Sequence, residues 1–526
     1  MKSRLIIWLA VGVVVFAMSV PTLLTAQGRM KENQEGKHHH YKVIDMGTFG
    51  GPASGVNETT FLFTASGDIN IREMIGTSTT SVPITATNNP NACSALGFVA
   101  HAFVWHMDIV TDLGTLSEAD NCSTANAIDS NGMIVGASET DEIDPLLDVK
   151  QQHAVQWKDG RIADLGTLGG YESIATDINN QGLVVGGATN AISDPLACSS
   201  TQCRAALWRN GVIQDLGTLG GPEALAPLIN GRDQITGAAN TDYSPTGDPL
   251  CFLARTTHPF LWERGRMTDL GTLGGTCALP LALNNQGQVV GFSELSGNST
   301  THAFLWPGVD GTMKDLGTLG GSFSNPNDIN DAGEVVGYAG DDSNQAVAFL
   351  WEKGVMINLG ILAGDCASTA TSVNSKGQIV GYSSTACDFT AVRRGVLWEH
   401  GSMMDLNRLI PAESDIHVSL AESINDRGEI AVNGTPAGCD LVEACGHAVL
   451  LIPCDENHPG IKDCDYSLAV GHTIVATNPV TTGTQSPTTA NPRIPAMASP
   501  MTRLFGGRWM QWYRNPGVLV RSKENK

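Results

Sequence analysis

The chain of 526 residues carries 53 acidic against 31 basic side chains, and its net charge of −22 would repel a phosphate backbone, which excludes nucleic acid as a partner. Charged residues make up only 16% while Gly occurs 59 times, a balance that suits a turn-rich β protein. Twelve Cys, an even count, point to disulfides and so to an exported chain.

The N terminus reads as a secretory signal. Lys2 and Arg4 precede an apolar run from Leu5 to Val20, and Leu24-Thr25-Ala26 offers a small-residue cleavage site. No other segment is long and apolar enough to span a bilayer, so no membrane span is expected after cleavage. The expected organisation is a signal peptide over 1–26, a polar linker over 27–40, a repeat domain over 41–454 and a tail over 455–526. His38-His39-His40 reads as part of a solvated linker rather than a metal site.

From Tyr41 onward the chain repeats. Asp-Leu-Gly-Thr-Leu-Gly-Gly stands intact at Asp164–Gly170, Asp215–Gly221, Asp269–Gly275 and Asp315–Gly321, with degenerate copies beginning at Asp45, Asp112, Asn358 and Asp405. The start-to-start intervals are 67, 52, 51, 54, 46, 43 and 47 residues, a period that marks a solenoid, propeller or array. Each module adds an Ile-Asn-x-x-Gly piece, at Ile178, Ile229, Ile329 and Ile424 with variants at Ile128 and Val373, and an aromatic piece ending in Trp. Every Trp between Tyr41 and Pro453 (Trp105, Trp157, Trp208, Trp262, Trp306, Trp351, Trp398) occupies that one position, as expected of a residue packed between repeats.

Asn-x-x-Gly is a hairpin turn, because Asn favours its start and Gly supplies the positive φ. Val-Val-Gly and Phe-Leu-Trp have strand composition and strand length. Four antiparallel strands in about 45 residues make a propeller blade. The fold class is therefore all-β, a closed β-propeller of eight four-stranded blades. A count of seven stays open because the first module, from Gly50 to Leu116, is degenerate. The last module lacks an Asp-Leu-Gly strand, while Tyr41–Gly47 is such a strand with nothing before it. Pairing the two completes the last blade and closes the ring.

His-Ala-Phe-x-Trp, Asp-Leu-Gly-Thr-Leu-Gly-Gly and Ile-Asn-x-x-Gly-x-Val-Val-Gly together resemble the bacterial extracellular repeat proteins of the HAF family, over roughly Tyr41 to Pro453. The resemblance implies export and a propeller-like repeat domain, and it carries no activity. Departures are Arg204 and Val347 in place of the His, Asp233 in place of the turn Gly and Val432 in place of the closing Gly; they read as structural drift.

The recurrent His101, His153, His258, His302 and His447 sit on different blades, too far apart to share one ion, so each is expected to hydrogen-bond within its blade. Asp328-Ile329-Asn330-Asp331-Ala332-Gly333-Glu334 loosely matches a calcium loop, but its sibling Asn374-Ser375-Lys376-Gly377 keeps the turn and loses the carboxylates, so a hairpin turn is the better reading. No Cys-x-x-Cys spacing occurs, and no metal or cofactor is expected. The loops between second and third strands share a face with the inter-blade links. Cys251 with Cys277, Cys366 with Cys387 and Cys93 with Cys122 are therefore expected to join a loop to its neighbouring link. Cys198 with Cys203, Cys439 with Cys445 and Cys454 with Cys464 would pair locally. Residues 481–500 are rich in Thr, Ser and Pro and should be disordered; Arg503, Arg508, Trp509, Trp512 and Tyr513 follow as a basic aromatic end.

The repeat breaks its near-symmetry in three long loops that carry Asp-Pro-Leu, at Asp144, Asp194 and Asp248. With the link residue Tyr171 they define the expected ligand face, where Asp-Pro serves either as a turn start or as a ligand contact. No unique nucleophile–base pair is visible, so the leading expectation is a secreted, monomeric, non-catalytic binding or structural module for an unknown glycan or protein ligand. The alternatives are a carbohydrate-active hydrolase or lyase using rim carboxylates, seeded by Asp141, Glu142, Asp144 and Asp248, and a cell-surface adhesin held by its tail. Secretion is the expected fate, with the cell surface or the periplasm as alternatives.

Overall fold

The computed structural model describes residues 37–473 apart from 57–72, 85–96, 118–120, 195–200, 247–250, 252–254, 299, 309–310, 388–391, 440–441 and 471. The expected signal peptide, most of the linker and the basic aromatic end lie outside the described residues, as do Cys93, Cys198 and Asp248.

The fold is a β-propeller, and the blade count is eight. Blade 5 shows the pattern: Gly274–Leu283, Val289–Leu295, Thr301–Trp306 and Lys314–Asp315, each antiparallel to the next. The other blades span residues 50–112, 123–164, 169–215, 224–269, 320–358, 367–405 and, for blade 8, 416–453. First strands of successive blades touch one another, which places them around the central axis.

Closure occurs as the ends of the repeat require. Tyr41–Asp45 pairs antiparallel with His447–Pro453, with Val43 opposite Leu451 and Ile44 opposite Leu450, and supplies the fourth strand of blade 8. Blade 8 then meets blade 1. The Ser54 N–H donates to Gly446 O at 2.9 Å, and Met74, Phe103 and Trp105 pack with Ala448, Leu450 and Ile452. The added strand covers the edge that His447–Pro453 would otherwise present.

The core is distributed over the wedges between blades. One cluster joins Leu228, Leu261 and Leu270 of blade 4 to Val289, Phe304 and Trp306 of blade 5; another joins Leu305 and Leu316 of blade 5 to Phe349 and Trp351 of blade 6. Trp208 and Trp398 also donate their ring N–H to Leu165 O and Leu359 O of the preceding links, at 2.9 Å each. The repeated Trp is thus an inter-blade residue, as its placement in the repeat implies.

Three polar devices recur. In the first, Asn284 Oδ1 accepts the N–H groups of Gln286 and Gln288 and shapes its own turn, while Nδ2 donates to Asn330 O of the next blade at 3.0 Å. Asn179, Asn230, Asn330 and Asn374 do the same toward Asn230, Asn284, Asn374 and Asn425. Second, Ser54, Ser123, Ser324 and Ser368 each accept an Ala N–H from the preceding blade, as Ser173 does from Ala154. Third, His101, His153, His258, His302 and His447 meet Asp112, Asp164, Asp269, Asp315 and Asp45 within their own blades, at 2.8–3.0 Å. Where the His is Arg204, its Nε donates to Asp215 instead; where it is Val347, the Asp has become Asn358.

The Gly of Val-Val-Gly is dictated by close approach. A Cβ at Gly291 would sit 1.9 Å from Leu279 O, where the first strand shifts register between Pro280 and Ala282. Blade 8 tolerates Val432 there, and its first strand carries an additional shift between Val418 and Leu420.

The chain packs beyond both expected domain boundaries. Lys37–His39 pairs with Leu468–Val470, and His38 is fully buried, its Nδ1 2.8 Å from Glu399 Oε1 and its Nε2 2.8 Å from Ser402 Oγ. The solvated reading of His38 is therefore corrected: a buried carboxylate and a hydroxyl on blade 7 satisfy both ring nitrogens. Beyond Cys454, His458 is likewise buried, between Asp455 and Glu429.

Two expectations follow. Asn284→Ala removes a turn acceptor and an inter-blade donor together, and should cost about 2–3 kcal/mol in urea unfolding; a change below about 0.5 kcal/mol would argue against the inter-blade bond. Acid should also loosen the ring. Burial pushes Asp45, Asp112, Asp164, Asp269 and Asp315 up, but the bonds from His and from the Gly N–H two residues on, with the His charge, hold all five below the ordinary Asp value. Their contribution is complete above the unfolded Asp value of about 3.9 and is lost as pH falls through the folded values. The urea midpoint should drop between pH 5 and pH 3, and less steeply in Asp269→Asn; equal slopes would contradict this.

Candidate functional site

The face bearing the loops between second and third strands also bears the inter-blade links. The disulfides confirm the geometry: Cys251–Cys277 and Cys366–Cys387 join loop to link with Cα separations of 5.2 and 4.8 Å. Cys439–Cys445 and Cys454–Cys464 close local loops. Cys122 and Cys203 are also disulfide-bonded, and the Cys expected to pair with them lie outside the described residues. In blade 2 the long loop prolongs its strands into a hairpin, Ile134–Asp144 with Val149–Lys158, while 195–200 of blade 3 and 247–250 and 252–254 of blade 4 lie outside the described residues. Ile143, Leu146, Ile192 and Tyr243 are exposed.

The Asp-Pro-Leu residues do not act as a set. Asp144 Oδ1 accepts the N–H groups of Leu146 and Leu147, so it builds its own turn, the bland role that Asp-Pro allowed. Asp194 reaches across to the next blade, where both its oxygens lie 3.0 Å from Arg255 Nη2. Tyr171 stands half-buried at the start of the first strand of blade 3, one residue before the buried Glu172.

Arg255 organises a cluster that sequence reasoning missed. Its Nη1 faces Glu223 Oε1 at 3.9 Å, and Glu223 is fully buried at the start of the first strand of blade 4. Glu223 Oε2 accepts the Cys203 N–H at 2.6 Å. Nearby, Arg204 pairs with Asp215 and donates to Pro222 O. Burial pushes the Glu223 carboxyl up to about 8; the Cys203 N–H pulls it down, the Asp194 charge pushes it further up, and Arg255 and Arg204 pull it down. Glu223 is accordingly protonated at neutral pH. Oε2 accepts from Cys203, which leaves Oε1 as the oxygen free to carry the proton. One guanidinium thus separates a salt-bridged carboxylate from a carboxylic acid, a pairing with acid–base capacity. The available signal was Arg204 in the His position, beside a Gly-Gly link ending in Pro-Glu.

Two further buried carboxyls are structural. Asp177 accepts the N–H groups of Ile178 and, across the blade boundary, Ile229; Asp328 does so from Ile329 and Val373, with Ser372 added. Burial pushes both up, Asp177 well above the ordinary value. The resemblance of Asp328–Glu334 to a calcium loop ends here, because Asn330 is spent on its own turn and Asp328 on the neighbouring blade. The grouping of Cys251, Cys277 and Glu294 offers no metal ligand set either, since its two sulfurs are bonded to each other.

No protein-family model and no curated relative matches the chain. Among solved structures it is similar to a puromycin-hydrolyzing peptidase of Mycobacterium tuberculosis (12% identity, TM-score 0.37), with 75% of this chain and 62% of that one covered. It is also similar to the β-propeller domain of the Trilobed protease of Pyrococcus furiosus (10%, TM-score 0.36; 71% and 97% covered) and to an oligogalacturonate lyase of Vibrio parahaemolyticus (8%, TM-score 0.35; 80% and 99% covered). The chain thus spans about 62% of the length of the first of these. The likeness concerns fold, and what those proteins act on is not transferred to this one. The expectation of a non-catalytic module is corrected by the cluster itself, since two carboxyls set on one guanidinium have acid–base capacity.

A linkage effect follows for Glu223. Below the unfolded Glu value of about 4.3 both states are protonated; from there to about pH 8 only the unfolded state ionises, so stability falls as pH rises across that window. Glu223→Gln should therefore be more stable than the parent at pH 8 in thermal melts, with the difference closing toward pH 4. A difference independent of pH would show that Glu223 is not held protonated.

Proposed function

We propose that this chain is an exported member of the HAF-type repeat proteins that cleaves a carbohydrate, by hydrolysis or elimination, at the loop face of blades 3 and 4. The observation that carries the reading is the pair of carboxyls on one guanidinium, Asp194 bound by Arg255 and Glu223 Oε1 facing the same group at 3.9 Å. In this reading Glu223 Oε1–H protonates the departing glycosidic oxygen, and the Asp194 carboxylate takes a proton from water or from a ring carbon. Arg255 orients the two carboxyls across a blade boundary that the inter-blade bonds keep fixed.

Export is supported by the charge order of residues 1–26 and by four complete disulfides, which fit a non-cytoplasmic protein. No helix among the described residues is long and apolar enough to cross a membrane. Membership in the HAF-type family rests on the repeated motifs themselves.

The test is a cleavage assay of the mature protein on a panel of neutral and uronic-acid polysaccharides. Glu223→Gln and Asp194→Asn should each lower kcat by at least about 100-fold. Parent activity should fall as pH rises through about 8, where Glu223 loses its proton. Activity that survives in Glu223→Gln with an unchanged pH profile would sink the reading.

A further inference from the structure

The cluster carries an unfilled hydrogen-bonding capacity. Arg255 Nη1 and Nε and Glu223 Oε1 are buried and have no hydrogen-bond partner among the described residues, although Nη1 and Oε1 face each other at 3.9 Å. Arg255 is 4% exposed and Glu223 0%. Leaving such groups unpaired costs free energy, and a separation of 3.9 Å is too long for a direct bond yet suits one bridging oxygen.

We propose that the space between Arg255 and Glu223 is a subsite for a hydroxyl of a neutral sugar. This rests on the reading of the cluster as a carbohydrate site, and it deepens that reading by naming a neutral sugar, for which hydrolysis is the course left open because a ring proton is acidic enough to abstract only beside a uronate carboxylate. A hydroxyl oxygen accepts from the guanidinium on one side and bonds the Glu223 carboxyl on the other, using both unpaired groups at once. A uronate carboxylate fits badly. Arg255 is already engaged by both oxygens of Asp194, so an incoming anion would meet that carboxylate without a free cation to receive it. The net charge of −22 adds to the repulsion. A cation fits no better, because a guanidinium occupies the centre. On the same two blades Ile192 and Tyr243 are exposed, at 56% and 63%, and offer apolar and aromatic surface to a sugar ring.

Binding measured without turnover separates this proposal from the catalytic reading. Cello-, xylo- and mannohexaose and, beside them, a galacturonate hexamer would be titrated calorimetrically into the mature protein and its Arg255→Lys and Glu223→Gln variants. At least one neutral hexaose should bind the parent, with affinity about tenfold or more weaker in Arg255→Lys, and the galacturonate should not bind. Should Arg255→Lys fail to fold, Glu223→Gln carries the test, since its amide still accepts from Cys203 but changes the group facing the gap. Tighter binding of the galacturonate, neutral binding unaltered by both variants, or no neutral binding at all would overturn the subsite. Arg255-dependent binding with no cleavage of any substrate would leave the subsite standing and sink only the catalytic reading.

Discussion

The Asn amide at the first turn of blades 3 to 7 is the interaction on which the ring depends. Its oxygen organises the hairpin of its own blade, and its nitrogen bonds the backbone of the next, in an unbroken run from Asn179 to Asn425. One side chain thus couples local turn geometry to the angle between blades. Blade 2 has Asp129 at this place, which keeps the turn through Asn131 and Met133 N–H but has no donor for its neighbour; Asn131 then reaches Asn180 O at 3.4 Å. With the angle repeated, closure follows once Tyr41–Asp45 fills the open place beside His447–Pro453.

Much of this was legible in the sequence because it is periodic. A turn Asn, a wedge Trp and a paired His and Asp recur at fixed offsets, and eight copies average out local drift. The complementary ends, a spare strand at Tyr41 and a missing one after Pro453, announced the closure. Non-periodic features were not legible. His38 resembles a solvated histidine until Glu399 and Ser402, some 361 and 364 positions away, are brought against it. Asp194 stood out through its loop, but Glu223 and Arg255 carry no motif. Their meaning comes from two blades facing each other at a wedge, which a linear pattern does not record.

The candidate site lies where the repeat departs from itself most. Arg204 replaces the His, Ala224 stands where Ser173 and Ser324 staple neighbouring blades, and Asp233 replaces the turn Gly, all in blades 3 and 4. Asp233 adopts the positive φ of that Gly and accepts from Asn179, so it is structural. The wedge between blades 3 and 4 keeps its apolar cluster of Leu207, Leu216, Ala224, Phe260 and Trp262, and the polar group lies beside it. A rigid frame makes this tolerable, because the flanking wedges keep their Trp and Leu packing. Burial then acts chemically, holding a proton on Glu223 beside the Asp194 carboxylate.

Infrared difference spectroscopy of the protonated-carboxyl band, parent against Glu223→Gln, tests this most directly. The account predicts a protonated-carboxyl band in the parent-minus-variant difference at pH 6.5 that disappears as pH rises through about 8. A parent and variant with identical carboxyl bands from pH 5 to pH 9 would contradict it, since Glu223 would then titrate as an ordinary surface acid.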